Sequence, residues 1–351
     1  APAPGRGTLN PNPRAAGEAS AWRANRIPTA SAPAPAPAQA RDEARTAARS
    51  AMAAEAAAAA TGAGTAARQE RREKEHRPEP HRIEDCASFP LEGTGWTLQG
   101  YSLGGVRTGF RVRELKLLLD AGVASDARYK GVLLTHCHQD HTLALPLCCN
   151  VRERHTTVFS NGTCLRLLEP FMRAMEALSD EPDQNELGAA FTAAEPGGPL
   201  FAVPGAPDVR VATFRGHHRT ASNSYGLYVH KRKLRAAYRG LPGREIGELK
   251  RRGEDVTEDV YRPALLFCGD TTSAFFEDDI NVRGGGGAAA DAYPYPTDIW
   301  GFPYVLIECT LLDGMDGEPI GHMDLGVLRP QILAHPSTTF LVMHQSPRYS
   351  P

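Results

Sequence analysis

Three imidazoles and a carboxylate lie within one short segment, which constrains the fold more than any other feature of the chain. The segment runs from Thr135 to His141, reads THCHQDH and directly follows an apolar run. In a helix, His136 and His138 would point about 200° apart, so the ligands converge only where a strand ends in a tight turn. Such histidines suit Zn²⁺ or another borderline divalent ion, and a chance cluster of surface histidines is the alternative. The segment therefore predicts a metal-binding turn at a strand end.

Further candidate ligands follow other predicted strands. They are His217 or His218, Asp270 and His344, and each comes after a short apolar run. A lone His or Asp in such a place is usually a surface or capping residue, but the recurrence of the position favours a shared site. Seven ligands suffice for two metal ions about 3.5–4 Å apart, bridged by an Asp and sharing a hydroxide. This arrangement suits phosphodiester hydrolysis.

Short apolar runs broken by glycine begin at about Cys86. They predict strands at 97–102, 111–119, 131–135, 209–214, 225–229, 264–268, 304–308 and 340–343, and helices at 143–151, 164–178 and 323–334. Several strands precede the first helix, and later strands alternate with helices. This order predicts an α/β domain over 83–351, with two mixed sheets covered on the outside by helices.

Residues 1–82 form a separate region of low complexity. They are rich in Pro, Ala and Arg and too poor in large apolar side chains to offset the entropy of ordering. An Ala-rich stretch at 40–60 favours some helix. The first 41 residues hold five Arg and one acidic residue, a bias typical of transit peptides. We therefore expect a leader that is an address for a mitochondrion or plastid, a disordered tail, or an anchor docked on a larger assembly. Without an organelle address, the cytoplasm or nucleus is expected.

Composition argues against several classes of protein. The formal charge of −2 excludes a globally basic nucleic-acid coat. No apolar run approaches 18 residues, so no membrane span is expected. Seven cysteines in a chain of this length, with Cys148 and Cys149 adjacent, argue against a disulfide framework and favour a reducing compartment. The lack of a CxxC pair argues against a four-cysteine zinc site.

Motifs over about residues 92–350 together resemble ribonuclease Z, the tRNA 3′-end endonuclease of the metallo-β-lactamase superfamily, in its short plant-like form. They are GYSLGG through LLLDAG (100–122), LLTHCHQDH (133–141), KRKLRAAYRGLPGREIGELKRRGEDV (231–256), ALLFCGDTTS (264–273), VLIECTLLD (305–313), GHMD (321–324) and HQSPRYS (344–350). The resemblance implies the αββα sandwich of that superfamily. It also implies that the chain is a zinc-dependent endoribonuclease. Such an enzyme would remove the 3′ trailer of precursor tRNA through attack by a metal-bound hydroxide.

The resemblance assigns two metal sites. One ion would be held by His136, His138 and the isolated His, and the other by Asp140, His141 and His344, with Asp270 bridging both. The family's isolated His lies six residues before the Gly of a Gly-Tyr-like pair. Thr220 occupies that spacing here, so His217 and His218 both remain candidates. Two Zn²⁺ ions per chain are expected, with Mn²⁺ or another divalent ion as the alternative.

The resemblance also implies catalytic and RNA-binding residues. Asp140 would act as a general base, and Glu308 would orient His322 for proton transfer to the leaving 3′ oxygen. The matching phosphate motif is Ser346, Arg348 and Tyr349. Residues 231–256 would form a basic arm that clamps tRNA through its phosphates, and it carries Lys231, Arg232, Lys233, Arg235, Arg239, Arg244, Lys250, Arg251 and Arg252.

Two other functions remain compatible with these observations. One is an inactive or weakly active ribonuclease Z-like subunit with a structural role in a larger organellar RNA–protein assembly. The other is a hydrolase of the same fold that acts on a small substrate, such as a thioester. The partners expected under the main hypothesis are precursor tRNA and a second copy of the chain in a homodimer.

Overall fold

A computed structural model describes residues 80–149, 156–179, 188–283, 298–314 and 321–349. The chain divides into two units, Ala1–His76 and Arg77–Pro351, and all described residues belong to the second. Residues 1–79 of the predicted leader lie outside the described residues, so the leader stays a prediction. All seven cysteines are free thiols. None of the helices in the described ranges has both the length and the apolar character that a membrane crossing requires.

The first sheet has seven strands in sequence order. Neighbouring strands are antiparallel from β1 to β4 and parallel from β4 to β7. The strands are β1 Ser88–Leu91, β2 Trp96–Leu103, β3 Arg107–Val112, β4 Leu117–Leu119, β5 Gly131–Leu133, β6 Thr156–Ser160 and β7 Ala189–Ala193.

The second sheet has six strands, ordered from β13 to β8 across the sheet. The β8 to β11 neighbours are antiparallel, whereas β11, β12 and β13 are parallel. The strands are β8 Phe201–Val203, β9 Ala206–Gly216, β10 Ser222–Leu234, β11 Thr257–Cys268, β12 Tyr304–Glu308 and β13 Thr339–Met343.

Helices connect and cover these strands. The α-helices are α1 Gln139–Thr142, α2 Leu145–Cys148, α3 Gly162–Ser179, α4 Gly243–Arg251, α5 Asp279–Arg283 and α6 Leu325–Ala334. Short 3₁₀ turns lie at Ile83–Asp85, Arg113–Leu115, Ala236–Tyr238, Ser273–Phe276, Ile299–Gly301 and Pro347–Tyr349.

Alternating side chains on the central strands produce the layered fold. Leu133 of β5 and Phe267 of β11 belong to the core between the two sheets. Val132, next to Leu133, instead packs in the core under α3, and Leu266, next to Phe267, packs in the core under α6. Successive strand residues face opposite sides, so an apolar run covers both faces of each sheet. The predicted α/β sandwich of two mixed sheets flanked by helices is confirmed.

Two predicted elements differ from the structure. The run 111–119 is not one strand, because the chain turns through Arg113–Leu115 and Lys116 takes a left-handed φ of 49° before β4 begins. The helix predicted at 143–151 is the single turn α2, and residues 150 and 151 lie outside the described part of the chain. Apolar content alone distinguished neither a turn within a strand nor a short helix.

The strand directions bring distant segments to one edge of the sandwich. In the second sheet β9, β11, β12 and β13 point the same way, so their C-terminal ends meet along one edge. The C-terminal ends of β4 and β5 lie together in the first sheet. A backbone hydrogen bond from Asn223 N to Thr135 O joins the sheets at this edge (2.9 Å).

Candidate metal centre

Ligand-type side chains from both sheets converge at this edge. Within each of three groups, the candidate ligand atoms lie within 4.8 Å of one another. The groups are His136, His138, His218 and Asp270; Asp140, His141 and His344; and Asp270, His322 and His344.

The turn after β5 presents four of these side chains to one point. The backbone is extended up to His138, which precedes α1, so His136 and His138 lie two residues apart on one side of the chain. Asp140 and His141 then occupy the first turn of α1. The predicted strand-to-turn geometry is therefore the one in the structure.

Asp270 lies between the two histidine groups. Its Oδ2 lies 3.7 Å from His136 Nε2 and 3.9 Å from His218 Nε2. Its Oδ1 lies 3.3 Å from both His141 Nε2 and His344 Nε2. Each carboxylate oxygen thus faces a different group, as a bridging ligand requires.

Two buried polar atoms in the cluster make no hydrogen bond, and a cation would satisfy both. His136 Nε2 and Asp270 Oδ1 are fully buried without a hydrogen-bond partner. Such atoms cost free energy unless a partner compensates for their lost hydration. Imidazole nitrogens and carboxylate oxygens are the ligands that zinc and similar ions prefer. The residues present therefore fit divalent cations.

The outer nitrogens of the histidines are fixed by hydrogen bonds. His141 Nδ1 donates to Asp120 Oδ2 (2.7 Å), and His218 Nδ1 donates to the Gly321 carbonyl. Thr135 Oγ1 donates to Asp120 Oδ2 (2.9 Å) and therefore accepts from His136 Nδ1 (3.0 Å). Each of these donations leaves the lone pair on Nε2, directed into the cluster.

Burial and neighbouring charges shift the pKa values of side chains in the cluster. Burial, reinforced by the positive charge of His141, holds the pKa of His136 well below its ordinary value. Burial also lowers the pKa of His218 to about 4. Burial alone would raise the pKa of Asp270, but the charges of His141 and His344 outweigh it and hold that pKa well below the usual range. His136 and His218 are therefore neutral imidazoles and Asp270 is an ionised carboxylate, the forms that bind metal.

Glu308 and His322 form a hydrogen-bonded pair beside the cluster. Glu308 is fully buried at the end of β12 and accepts hydrogen bonds from Thr271 N (2.8 Å), Thr310 Oγ1 (2.6 Å) and His322 Nδ1 (3.1 Å). Burial lowers the pKa of His322, but the hydrogen bond to Glu308 and the charge of Glu308 outweigh this and raise it. The Glu308 carboxylate therefore favours the protonated form of His322.

The two adjacent histidines after β9 point to different partners. His218 Nε2 lies 3.1 Å from His138 Nδ1 within the cluster. His217 Nε2 instead lies 2.9 Å from Asp278 Oδ2. The structure therefore excludes His217 from the cluster and places His218 in it, although His218 lies eight residues before Gly226.

The segment 346–349 lies beside the cluster without joining it. Ser346 N donates to Thr310 O (2.9 Å). Arg348 Nη1 lies 3.6 Å from Asp313 Oδ2, and Tyr349 donates its hydroxyl hydrogen to the same carboxylate oxygen. The predicted phosphate role of Ser346, Arg348 and Tyr349 stays a prediction.

The basic arm is largely paired with its own acidic residues. Residues 231–256 comprise the end of β10, a 3₁₀ turn and the helix α4, they lead into β11, and no residue of α4 is buried. Among the described residues, Lys231, Lys233, Lys250 and Arg252 form no ion pair. The pairs within the arm and its flanking strand are Arg232 with Asp255 and Asp259, Arg235 with Asp255, Arg239 with Glu258, and Arg244 and Arg251 with Glu248.

A cavity of about 360 Å³ opens over the cluster. It is lined by Gly105, His138, Gln139, Asp140, Arg219, Asp270, His322 and His344.

The sequence interpretation assigned no role to three residues at or beside the cluster. Asp120 bonds to His141, and its sequence signal was a carboxylate directly after the apolar run of β4. Thr310 and Arg219 carried no comparable signal.

Comparisons with known proteins give plant relatives over most of the described chain. Nuclear ribonuclease Z of Triticum aestivum is 31% identical over 180 residues, which cover 48% of this chain and 96% of that protein. The tRNase Z TRZ1 of Arabidopsis thaliana is 26% identical over 267 residues, covering 73% of this chain and 87% of that protein. The chloroplastic tRNase Z TRZ2 of Arabidopsis thaliana is 27% identical over 273 residues, covering 74% and 70%. No protein-family model matches the chain.

Comparison with solved structures gives alignments that include a human and a bacterial protein. The short form of human tRNase Z aligns with a TM-score of 0.42 at 14% identity, covering 72% of this chain and 93% of that chain. The metallo-β-lactamase fold protein YhfI of Bacillus subtilis aligns with a TM-score of 0.41 at 13% identity, covering 70% and 84%.

Proposed function

The chain belongs to the ribonuclease Z family, and we propose on this basis that it is a zinc-dependent endoribonuclease that removes the 3′ trailer of precursor tRNA. The activity is metal-dependent tRNA 3′-end processing, and the plant relatives are named tRNase Z. The observation that carries the proposal is the pair of ligand groups that share Asp270. Sharing one carboxylate between two groups suits a two-metal phosphodiesterase.

The ligand groups define what each metal-binding side chain does. His136, His138 and His218 would hold one ion, Asp140, His141 and His344 the other, and Asp270 both. When bound, such ions polarise the phosphate and lower the pKa of water at the site. Asp140 Oδ2 accepts a hydrogen bond from Gly105 N (2.9 Å), which orients this carboxylate as a ligand and proton acceptor.

His322 supplies the proton in the proposed reaction. Its Nδ1 is bound to buried Glu308, so its other nitrogen is directed away from that carboxylate, and the ring lines the cavity. When the phosphodiester breaks, the leaving 3′ oxygen takes up a proton, and protonated His322 is placed to donate it. Glu308 is a positioning residue that keeps His322 charged.

The distance between the basic arm and the cluster favours RNA over a small substrate. Ser222 at the start of β10 donates a hydrogen bond to the Asp270 carbonyl (3.2 Å), and the arm begins at Lys231, further along the same strand. At roughly 3.3 Å per residue, the arm begins about 30 Å from the cluster. A thioester spans far less than this distance, whereas a folded RNA reaches both. The unpaired Lys231, Lys233, Lys250 and Arg252 would contact its phosphates.

The remaining expectations concern the setting of the enzyme. The Arg-rich first 41 residues and the chloroplastic relative support the proposal of an organellar location. Zinc as the ion and two ions per chain are proposed from the ligand types. A homodimer and attachment to a larger RNA–protein assembly stay predictions.

Cleavage of a defined substrate tests the proposal. The purified chain, supplied with zinc, is incubated with a tRNA that carries a 3′ trailer, and both new ends are mapped. We expect a cut 3′ of the discriminator base that yields a 3′-hydroxyl tRNA and a 5′-phosphate trailer, and a much slower cut with His322→Ala. Stable binding of the tRNA without any cut would instead favour the inactive structural subunit.

A further inference from the structure

Arg219 stands apart from the ligands because it adds a permanent positive charge to the cavity over the cluster. It directly follows His218, and it is the only Lys or Arg among the described residues that line this cavity. Its guanidinium forms no ion pair with any described carboxylate. Arginine keeps its charge at all relevant pH values and presents several N–H donors in a planar fork.

The backbone beside His322 makes room for the Arg219 side chain. Gly321 has a φ of 85°, and a Cβ at this position would lie 2.9 Å from Arg219 Cγ and 3.0 Å from His218 Nδ1. The stem of Arg219 therefore packs against a glycine that also accepts the hydrogen bond of His218. Arg219 is exposed, and the packing of its stem against Gly321 places it at the rim of the cavity that His322 also lines.

Arg348, the arginine that the sequence motifs favour for phosphate binding, is engaged elsewhere. It is paired with Asp313 and lies outside the cavity lining. Ions held by the ligand groups would neutralise a phosphate from one side only. A donor on the open side is therefore needed to orient the remaining oxygen of the phosphate. Among the described lining residues, Arg219 has the charge and the donors for this task.

We propose that Arg219 binds a non-bridging oxygen of the phosphodiester that is cleaved, and so distinguishes RNA with a 3′ trailer from RNA without one. This inference rests on the proposed function. It assigns Arg219 a direct substrate contact, whereas the arm would contact RNA about 30 Å or more away. Mature tRNA that ends at the discriminator base lacks the phosphate in question, so Arg219 contributes nothing specific to its binding.

The comparison of precursor and mature tRNA tests this inference. The kcat/KM for a trailer-carrying tRNA and the Ki of mature tRNA as a competitor are measured at one salt concentration, together with metal content. For Arg219→Ala we expect kcat/KM to fall about 10- to 100-fold, as for loss of a charge-assisted contact, while Ki stays within twofold. Arg219→Lys should recover part of kcat/KM, because it keeps the charge but not the fork.

Arg215→Ala is the matched control. It removes the same charge four residues away, at a side chain that lies 3.7 Å from Asp278 and outside the cavity lining. We expect both kinetic constants of this variant to stay within about threefold of wild type, because Arg215 is half-exposed and its long ion pair contributes little. A fall as large as that of Arg219→Ala would overturn the inference.

Other results would also overturn the inference. These are an unchanged kcat/KM in Arg219→Ala, a Ki that rises as much as kcat/KM falls, or loss of metal in both Arg219→Ala and Arg219→Lys, which would make Arg219 a support for His218. If the wild-type chain itself fails to cleave, the proposed function falls and takes this inference with it. A wild-type chain that cleaves beside an unaffected Arg219→Ala rejects the inference alone.

Discussion

Replacing Asp120 by Asn should weaken metal binding although Asp120 is not itself a ligand. Its Oδ1 accepts from Thr135 N (2.7 Å), and its Oδ2 accepts from both Thr135 Oγ1 (2.9 Å) and His141 Nδ1 (2.7 Å). Asn keeps one acceptor oxygen and places an NH₂ group where two donors now point. His141 must then accept at Nδ1 and carry its proton on Nε2, the nitrogen directed into the cluster.

The expected magnitude follows from this change of tautomer. Loss of an outer partner of a metal-bound histidine typically costs 10- to 100-fold in metal affinity, or about 1.4 to 2.8 kcal/mol. The loss should concern the ion held by His141 and leave the other ion largely bound. We therefore expect Asp120→Asn to retain close to one ion per chain after dialysis against a weak chelator that leaves the wild type fully loaded.

Competition with a chromophoric chelator measures the two affinities, and elemental analysis gives the stoichiometry. Asp126→Asn is the control, because Asp126 is an exposed aspartate that pairs with Arg82, and it should bind metal as the wild type does. Equal affinity and stoichiometry in Asp120→Asn and wild type would refute the assigned role of Asp120. Loss of both ions would contradict the division into two ligand groups.

Four further substitutions probe the rest of the site. Asp270→Ala should lower the cleavage rate by about a thousandfold or more, since bridging metal chemistry contributes several kcal/mol, while tRNA binding measured by filter retention stays within a few fold. His218→Ala should lose one ion per chain, whereas His217→Ala should keep both, which elemental analysis shows directly; the reverse result would place the wrong histidine in the cluster. Glu308→Gln should keep the metals but slow single-turnover cleavage about 10- to 100-fold, because His322 loses the charge that favours its protonation. An unchanged rate would remove Glu308 from the proton-transfer step.

Much of the fold follows from local features of the sequence. Short apolar runs predicted the strands, and the order of strands and helices predicted a layered α/β domain. Within such a run, neighbours such as Val132 and Leu133 cover opposite faces of a central strand. The turn at His136–His141 was predictable because four ligands so close in sequence converge in few other ways. The link at Lys116 was not predictable, because apolar residues continue on both sides of it and only the backbone geometry reveals the turn.

The interior of the site depends on contacts between distant segments, which one sequence does not specify. His217 and His218 are chemically identical neighbours, and only the position of Asp278 relative to Asp270 shows which one enters the cluster. No pattern in the sequence marks Arg219, because a single arginine after a histidine is common. Its place over the cluster depends on a glycine about a hundred residues later.

Metal content of the purified wild-type chain tests the central claim most directly. The protein is prepared without a chelator, dialysed against metal-free buffer, and analysed for zinc, manganese and other divalent ions per chain. Two ligand groups that share Asp270 predict two ions per chain, with zinc as the main species. Less than one ion per chain after incubation with excess zinc would contradict the two-metal centre, and with it the proposed mechanism of RNA cleavage.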